Sequence, residues 1–267
     1  MIRKFQRAPP PAPKPARRNK PEMTLDRALS RAGVASRAAA AALIAAGRVS
    51  VEGRVLRDPQ AWVAPARQPI RLDGQPLRRP RPVYFALHKP VGYITSHGDP
   101  CGRPTIYDLL TGAGPSAASP RGPLMPRDCG WLFSVGRLDQ DSSGLLLVTN
   151  DSVFAERIAN PVAKVPKTYH VRSDSPLTPA EVARLRAGLE IGRGERSGPA
   201  RVRPLPLRAG EHWLEIEIRE GKNRQVRRML EAVGRRVLAL TRVRIGKLAL
   251  GNLPAGKIRH IRPRDVL

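Results

Sequence analysis

The sequence contains few aromatic residues, few cysteines and few acidic residues. Aromatic side chains make up only 4% of the 267 residues, so the core must rest mainly on Leu, Val, Ile and Ala. The 2 cysteines, Cys101 and Cys129, are too few for a disulfide framework and form no zinc-binding pattern. This composition argues against a small disulfide-stabilised secreted domain and fits the reducing cytoplasm.

The sequence also lacks a long apolar segment. A transmembrane helix needs about 20 mainly apolar residues, and no segment of this chain approaches that length. The N-terminus is positively charged, but no apolar core follows it, so it is not typical of a secretory signal. Neither a P-loop nor a dinucleotide-binding glycine motif is present. We therefore expect a cytoplasmic protein with no metal and no organic cofactor.

The small number of acidic residues leaves the chain strongly basic. It has 48 Lys and Arg residues against 22 Asp and Glu residues, which gives a formal net charge of +26. A polyanion would relieve the self-repulsion of this charge, and each phosphate that is neutralised also releases a counterion. The charge therefore indicates a nucleic-acid partner, although a coding bias toward Arg, Ala and Pro explains part of the excess of arginine.

Composition and turn residues divide the chain into four segments. Residues 1–22 are rich in Pro, Lys and Arg and predict a disordered basic arm. Residues 23–66 predict a small module of two helices and a hairpin, with Ser36 capping the second helix. Residues 67–82, rich in Arg and Pro, predict a linker. Residues 83–267 predict a larger α+β domain with a mixed, largely antiparallel sheet.

The segment at residues 23–66 resembles a known RNA-binding module, the one named after small-subunit ribosomal protein S4. The matching pieces are Ser36-Arg37 at a helix start and the sequence from Gly47 to Gly53. The resemblance implies that two helices and a hairpin face structured RNA. It also implies four candidates for phosphate contact, each of which has a solvated surface charge as its alternative: Arg31, Arg37, Arg48 and Arg54.

A polar loop followed by an apolar run carries the most specific pattern of the larger domain. The string from Gly136 to Asp151 begins Gly-Arg-Leu-Asp and leads into an apolar strand that we expect to be buried on both faces. It resembles the signature of the ribosomal pseudouridine synthases, G-R-L-D-x-x-[ST]-x-G-L-L-[LVI]-x-T-[ND]-[DN]. Every fixed position is met, with Ser142 at the Ser/Thr place. By this resemblance, Asp139 is the catalytic nucleophile.

Two further segments resemble the same family. Lys167-Thr168-Tyr169 is similar to its K-x-Y strand, in which the tyrosine ring lies against the target base. The segment from Glu220 to Met229 is similar to its E-G-[RK]-N-R-Q-V-R-R-M pattern, in which a loop leads into a helix N-terminus. The resemblance implies that Arg227 pairs with Asp139 and that Arg137 fills the space left by a flipped base. It also makes other cations of these segments candidates for RNA contact: Lys167, Arg224 and Arg228.

The resemblance implies an isomerase that needs no cofactor. The reaction moves a uracil from an N1–C1′ link to a C5–C1′ link, and no atom enters or leaves. The uridine must first be flipped out of its stack. An ionised carboxylate then either attacks the sugar or removes a proton from it, and the sequence leaves both routes open. Burial would raise the pKa of such a carboxyl group, and a nearby guanidinium would offset this rise. This is the physical reason to expect Arg227 beside Asp139.

The resulting hypothesis is a monomeric enzyme that acts on ribosomal RNA or a pre-ribosomal particle, and alternatives remain beside it. A ribosome-assembly factor with the same fold would bind RNA without catalysis, although the intact motifs argue against it. A methyltransferase with the same N-terminal module would need a glycine-rich nucleotide loop, and none is present. A synthase acting on tRNA is the nearer competitor. The N-terminal module and the Gly-Arg-Leu-Asp form favour ribosomal RNA, with 23S preferred over 16S.

Overall fold

A computed structural model gives the structure of the protein. It describes residues 22–78, 80–111, 129–206 and 210–267. The basic arm that we predicted for residues 1–22 lies outside the described residues except for Glu22. In this part of the chain, no helix is long and apolar enough to cross a membrane.

The chain forms two compact units. The N-terminal unit contains the described residues up to Ser30 together with Ser36–Leu77, and the C-terminal unit contains Arg31–Ala35 and Arg78–Leu267.

Short helices and strands build the N-terminal unit. Ser36 caps the second helix, as predicted, because its Oγ accepts a hydrogen bond from the Ala39 amide at 3.1 Å. Leu29 of the first helix and Ile44 of the second helix are fully buried. The elements in chain order are β1 (Met23–Thr24), α1 (Leu25–Arg31), α2 (Arg37–Ala45), β2 (Val49–Val51), β3 (Arg54–Val55), β4 (Trp62–Val63), β5 (Ile70–Leu72) and β6 (Gln75–Pro76).

The linker that we predicted for residues 67–82 is wrong in its first part. Strands β5 and β6 belong to a sheet of order β3-β2-β5-β6, in which β2 pairs with β5 in antiparallel register. Asp73 and Gly74 both have positive φ angles, 50° and 76°, and form the two-residue turn of this hairpin. The many Arg and Pro residues of the segment hid two very short strands, although the Asp-Gly pair is a hairpin signal.

One large sheet organises the C-terminal unit. Its strand order is β11-β12-β10-β13-β9-β7-β15, with β8 on β9 and β14 on β13. Strands β9 and β13 run parallel, whereas β7–β9, β10–β12 and β10–β13 run antiparallel. This confirms the predicted α+β class with a mixed, largely antiparallel sheet. The elements are β7 (Tyr84–Lys89), α3 (Ile106–Thr111), β8 (Phe133–Val135), β9 (Ser143–Thr149), α4 (Ser152–Ala159), β10 (Lys167–Ser173), α5 (Pro179–Ala187), β11 (Arg201–Leu205), β12 (His212–Ile218), α6 (Gln225–Glu231), β13 (Val237–Ile245), β14 (Leu248–Ala249) and β15 (Ile258–His260).

Strand β9 lies in the centre of the apolar core and is buried on both faces, as predicted. Leu146 and Val148 point into one apolar cluster, and Leu145 and Leu147 point into the other. The first residues of β9 pair with β13, where Gly144 has φ 111° and lies so close to the Arg242 backbone that a Cβ would overlap it. The loop that precedes β9 therefore enters the sheet at a fixed place, and this loop contains Asp139.

Candidate active site

A cavity of about 320 Å³ lies at the end of β9 where the loop from Gly136 to Ser142 joins it. Strands β10 and β13, helix α6 and the loop before α6 form its other walls. The polar and charged side chains that line it are Arg137, Asp139, Ser142, Lys167, Tyr169, Glu220, Lys222, Asn223, Arg224, Gln225 and Arg242. Although the three segments that carry the sequence motifs are far apart along the chain, they therefore meet around one cavity.

Hydrogen bonds on both sides of Asp139 hold its loop. The hydroxyl of Thr95 donates to the carbonyl oxygen of Leu138 at 2.8 Å, and the amide of Gly92 donates to that of Gln140 at 2.8 Å. The amide of Ser142 donates to the carbonyl oxygen of Asp139 at 3.1 Å. Leu138 is buried, whereas the Asp139 side chain is 30% exposed. The loop thus anchors an apolar residue and presents the carboxylate beside it to the cavity.

The ion pair that we predicted between Arg227 and Asp139 is corrected by the structure. Arg224 lies beside Asp139, with 3.6 Å between Nη1 and Oδ2, and it also donates to the Asp141 carboxylate at 3.2 and 3.0 Å. Arg227 pairs with Asp141 instead, at 3.2 Å. Arg224 reaches Asp139 because it immediately precedes α6 in a left-handed conformation with φ 48°. Arg227 lies one turn further along the helix and reaches beneath the loop.

Arg227 fixes the backbone of the Asp139 loop from below. It is only 7% exposed, and its Nη2 donates to the carbonyl oxygen of Asp141 at 2.8 Å, while its Nη1 donates to that of Val237 at 3.3 Å. Burial raises the pKa of Asp141, but the hydrogen bond from Arg224 and the charge of Arg227 outweigh burial and hold that pKa below its usual value. Both arginines therefore order the loop, and Arg224 alone also borders the cavity.

Tyr169 and Lys167 enter the cavity from β10. They lie two residues apart on one strand, so both side chains point to the same face of the sheet. Tyr169 is 8% exposed and lies in register with Ile216 on one side and Arg242 on the other. The Lys167 ammonium donates to the Val165 carbonyl oxygen at 3.2 Å, and burial lowers its pKa. Lys167, which we predicted to contact RNA, is thus a cavity residue, and the stacking role of Tyr169 stays a prediction.

Two buried cations of the site were given no role by the sequence. Lys89 is 0% exposed and donates to the carbonyl oxygens of Ser142, at 2.7 Å, and Pro90, at 3.0 Å. Arg242 is 3% exposed, and its Nε donates to the Leu145 carbonyl oxygen at 2.7 Å. Among the described residues, its Nη2 has no hydrogen-bond partner. The string His88-Lys89-Pro90 and a cation at an inward position of a strand were the available signals.

Burial gives Lys89 an unusual proton affinity. Its removal from water lowers the pKa to about 8, and the charges of Asp139 and Asp141 only partly offset this effect. The ammonium is held in place because two carbonyl oxygens accept hydrogen bonds from it. Lys89 therefore places a positive charge directly beneath the loop that carries the two carboxylates.

Arg228 does not fit the RNA contact that we predicted for it. Its side chain is 10% exposed and pairs with Glu195. Its Nε and Nη2 donate to the carbonyl oxygens of Ile191, at 2.8 Å, and Gly192, at 2.6 Å. Because these bonds tie α6 to the loop after α5, the residue supports the fold.

The cavity is electropositive. Five cations line it against two carboxylates, Asp139 and Glu220. The Glu220 carboxylate is already used, since it accepts hydrogen bonds from the Gly198 amide, at 2.7 Å, and from the Gln225 side chain. Such a cavity favours an anionic ligand such as a nucleotide. Within the described ranges, no cluster of His, Cys, Asp and Glu side chains is arranged to hold a metal ion.

Four arginines outside the cavity lining are candidates for RNA contact, three in the N-terminal unit and one, Arg31, in the C-terminal unit. Arg37 is 60% exposed and is held by Asp26, to which its Nε and Nη2 donate at 3.0 and 2.8 Å. Arg48 is held in the same way by Asp73. Arg54 is exposed, and Arg31 is half-buried at the end of α1. Phosphate contact by these four residues stays a prediction.

Comparison with known proteins decides the family. A model described as RNA pseudouridylate synthase matches residues 83–232, which is more than half of the chain. The chain belongs to the RNA pseudouridylate synthase family. An S4 domain model matches residues 23–63 of the synthase, and this confirms the predicted resemblance of the N-terminal segment to the S4 RNA-binding module.

Relatives match the synthase over most of its length. The ribosomal large subunit pseudouridine synthase B of Bacillus subtilis (strain 168) is 36% identical over 91% of this chain and 93% of its own. The protein of that name from Yersinia pestis is also 36% identical, over 87% of this chain and 69% of its own. A crystal structure of a pseudouridylate synthase superimposes with a TM-score of 0.62 at 26% identity, over 91% of this chain and 98% of that one. The family, the fold and the isomerase class are thereby confirmed.

Proposed function

We propose that this synthase converts a uridine of large-subunit (23S) ribosomal RNA into pseudouridine, with Asp139 as the catalytic carboxylate. One observation carries the assignment of the residue: the Asp139 carboxylate faces a cavity of about 320 Å³ that also holds Tyr169 and five cations. The two relatives whose names specify the large ribosomal subunit support the choice of RNA.

The substrate in this proposal is a uridine flipped out of folded RNA. Flipping costs a few kcal/mol of stacking and pairing energy, and contact with the Tyr169 ring recovers part of it. Tyr169 and Asp139 both line this cavity. Exposed Arg137, on the loop that carries Asp139, fills the space that the base leaves in the RNA.

Asp139 acts as an anion in either possible route. It attacks C1′ of the ribose, or it removes a proton from the sugar; in both routes the N1–C1′ bond breaks. The uracil then turns and C5 bonds to C1′. In the first route the bond between Asp139 and C1′ breaks as C5 attacks, and in the second route Asp139 returns the proton to the sugar. The C5 proton is then lost and N1 gains a proton, so the atoms balance. The Arg224 guanidinium, 3.6 Å away, and the buried Lys89 ammonium beneath the loop stabilise the negative charge of Asp139.

The surrounding cations hold the polyanionic substrate. Lys222 and Arg137 line the cavity beside Arg224 and meet the phosphates that flank the flipped nucleotide. The four candidate arginines add sequence-independent phosphate contacts, and Asp26 and Asp73 hold two of them, Arg37 and Arg48, in position.

The test uses ribosomal RNA labelled with tritium at C5 of uridine. Formation of pseudouridine releases this tritium, and carbodiimide-dependent primer extension then locates the modified position. We expect release from 23S RNA by the wild-type protein and none by Asp139→Asn, with RNA binding retained in both. Glu156→Gln, an exposed carboxylate of α4 outside the cavity lining, is the matched control and should keep its activity.

Each of the other possible outcomes supports a different conclusion about the function. Turnover by purified Asp139→Asn would disprove the assignment of the carboxylate. Modification of 16S RNA or tRNA in place of 23S RNA would disprove the choice of substrate while the chemistry stands. No modification of any of these RNAs by the wild-type protein would favour the assembly-factor alternative.

A further inference from the structure

Three aromatic rings form a stack that the proposed chemistry does not use. The His97 ring lies between the rings of Tyr107 and Trp131, with centroid distances of 3.6 and 3.8 Å and interplanar angles of 20° and 24°. Aromatic residues are only 4% of this chain, so a continuous stack of three rings concentrates them at one place. The stack lies wholly within the C-terminal unit.

The stack joins three segments that are distant in sequence. His97 lies in the segment after β7, Tyr107 is the second residue of α3, and Trp131 precedes β8. The segment that carries His97 is otherwise short of regular structure, although Ile94 exchanges backbone hydrogen bonds with the residues just before α3. The ring contacts therefore fix the C-terminal end of this segment to helix α3 and to the residues just before strand β8.

The N-terminal part of the same segment is hydrogen-bonded to the loop that carries Asp139. The Thr95 hydroxyl donates to the Leu138 carbonyl oxygen at 2.8 Å and accepts from the Leu138 amide at 3.3 Å. The Gly92 amide donates to the Gln140 carbonyl oxygen at 2.8 Å, and the Gln140 side chain donates back to Gly92 at 3.1 Å. These four bonds hold the residues immediately before and after Asp139.

We propose that His97 is a positioning residue of the synthase: its ring, wedged between Tyr107 and Trp131, braces the segment 92–97 that holds Asp139 in place. This inference rests on the proposed role of Asp139. The ring acts through Thr95 and the loop backbone and does not itself touch the reacting atoms.

The surroundings of the His97 ring are suited to a structural contact within the protein and not to stacking with an RNA base. Both faces of the His97 ring are covered by its neighbours, so no base can stack on it. Burial between the rings lowers its pKa to about 4, and a hydrogen bond to the Leu132 backbone offsets only part of this shift. The ring is therefore neutral at neutral pH, as is suitable for contact with two apolar faces.

The experiment compares four test variants and one control variant with the wild type in single-turnover tritium release from labelled ribosomal RNA. His97→Ala removes the wedge, and His97→Phe restores a ring of similar size. Thr95→Val removes only the hydroxyl that grips Leu138, and the fourth protein combines Thr95→Val with His97→Ala. His212→Ala, at the start of β12 and outside the cavity lining, is the control for a surface histidine.

The expected result is a loss of rate and not of affinity. A displaced catalytic group costs about 10-fold to 100-fold in rate, so His97→Ala and Thr95→Val should each slow the single-turnover rate at saturating RNA by about that factor. The RNA concentration at half-maximal rate should change by less than about twofold. His97→Phe should recover most of the rate. Because both changes act through one segment, the double variant should be less impaired than the product of the single effects.

The outcomes that overturn the proposal are distinct from failure of the proposed function. Wild-type rates for His97→Ala and Thr95→Val, weaker RNA binding at an unchanged rate, or no rescue by His97→Phe would each disprove the brace. If His97→Ala fails to fold, Thr95→Val and His97→Phe still decide the question. Absence of tritium release from the wild-type protein would instead disprove the proposed function itself.

Discussion

Replacement of Arg224 and Arg227 by glutamine, one at a time, is expected to separate catalysis from stability. Both arginines reach the Asp139 loop, but they do so from different environments. Arg224 is 41% exposed and lies beside the carboxylate of Asp139. Arg227 is buried and donates to backbone oxygens beneath the loop. The two variants should therefore fail in different measurements.

Arg227→Gln should mainly lower the free energy of unfolding. It removes the donors that satisfy the carbonyl oxygens of Asp141 and Val237 at 2.8 and 3.3 Å. Each buried polar group left unsatisfied costs about 1–3 kcal/mol, so we expect a loss of about 2–6 kcal/mol for the two carbonyl oxygens. The activity of the protein that remains folded should fall less than in Arg224→Gln.

Arg224→Gln should mainly lower the rate. At a separation of 3.6 Å from Asp139, the attraction would be about 4–5 kcal/mol at an effective dielectric constant of about 20. Because both side chains are partly exposed, solvent screening reduces this to about 0.2–1 kcal/mol. Such an energy corresponds to a rate about 1.4-fold to fivefold lower. The cost in stability should stay below about 1 kcal/mol, as for other exposed ion pairs.

The assays are urea unfolding followed by tryptophan fluorescence and single-turnover tritium release at saturating RNA. Arg219→Gln, an exposed arginine directly after β12 and outside the cavity lining, is the control and should leave both readouts unchanged. The reasoning is refuted if Arg227→Gln keeps wild-type stability and loses more activity than Arg224→Gln. In that case Arg227 is the partner of Asp139, as the sequence alone predicted.

Two further predictions concern the buried lysine and the RNA contacts. Burial lowers the pKa of Lys89 from 10.5 to about 8, so the unfolded chain binds more protons between these values and the free energy of unfolding should rise with pH across that window. Lys89→Met should abolish this rise in urea unfolding, and parallel pH profiles for the two proteins would contradict the assignment. Arg54→Gln should weaken RNA binding and lower the slope of log affinity against log salt concentration by about 1, whereas Arg228→Gln should lower stability without a change in RNA affinity. Filter binding at several salt concentrations distinguishes the two variants. Equal slopes for Arg54→Gln and the wild type would exclude the phosphate contact.

Local structure followed from the sequence wherever neighbouring residues satisfy each other. Ser36 caps α2, as predicted, and Asp151 caps α4 in the same way. Thr178 and Glu181 form a complete capping box at the start of α5. These interactions span two or three residues, so the sequence contains all the participants. Residues 145–148 likewise predicted the buried core of β9, since a continuous apolar run needs cover on both faces.

Elements that depend on distant partners were missed. Strand β13 carries Arg242 and Arg244 among apolar residues, and its identity as a strand comes from pairing with β10 on one side and β9 on the other. Strand β11 was missed for the same reason, because its alternating arginines pair with glutamates of β12. The β5–β6 hairpin lay within a segment whose composition resembles a linker.

The sequence by itself determined the chemistry that this protein belongs to. A string of sixteen residues around Asp139, a Lys-x-Tyr strand and an arginine-rich helix identified the family, because together they match its motifs. The tertiary structure decided which groups act on which. Helical spacing alone cannot say whether Arg224 or Arg227 reaches Asp139, since that depends on where the loop crosses the helix. The buried ammonium of Lys89 and the ring of His97 bear on Asp139 only because folding brings segments more than forty residues apart into contact.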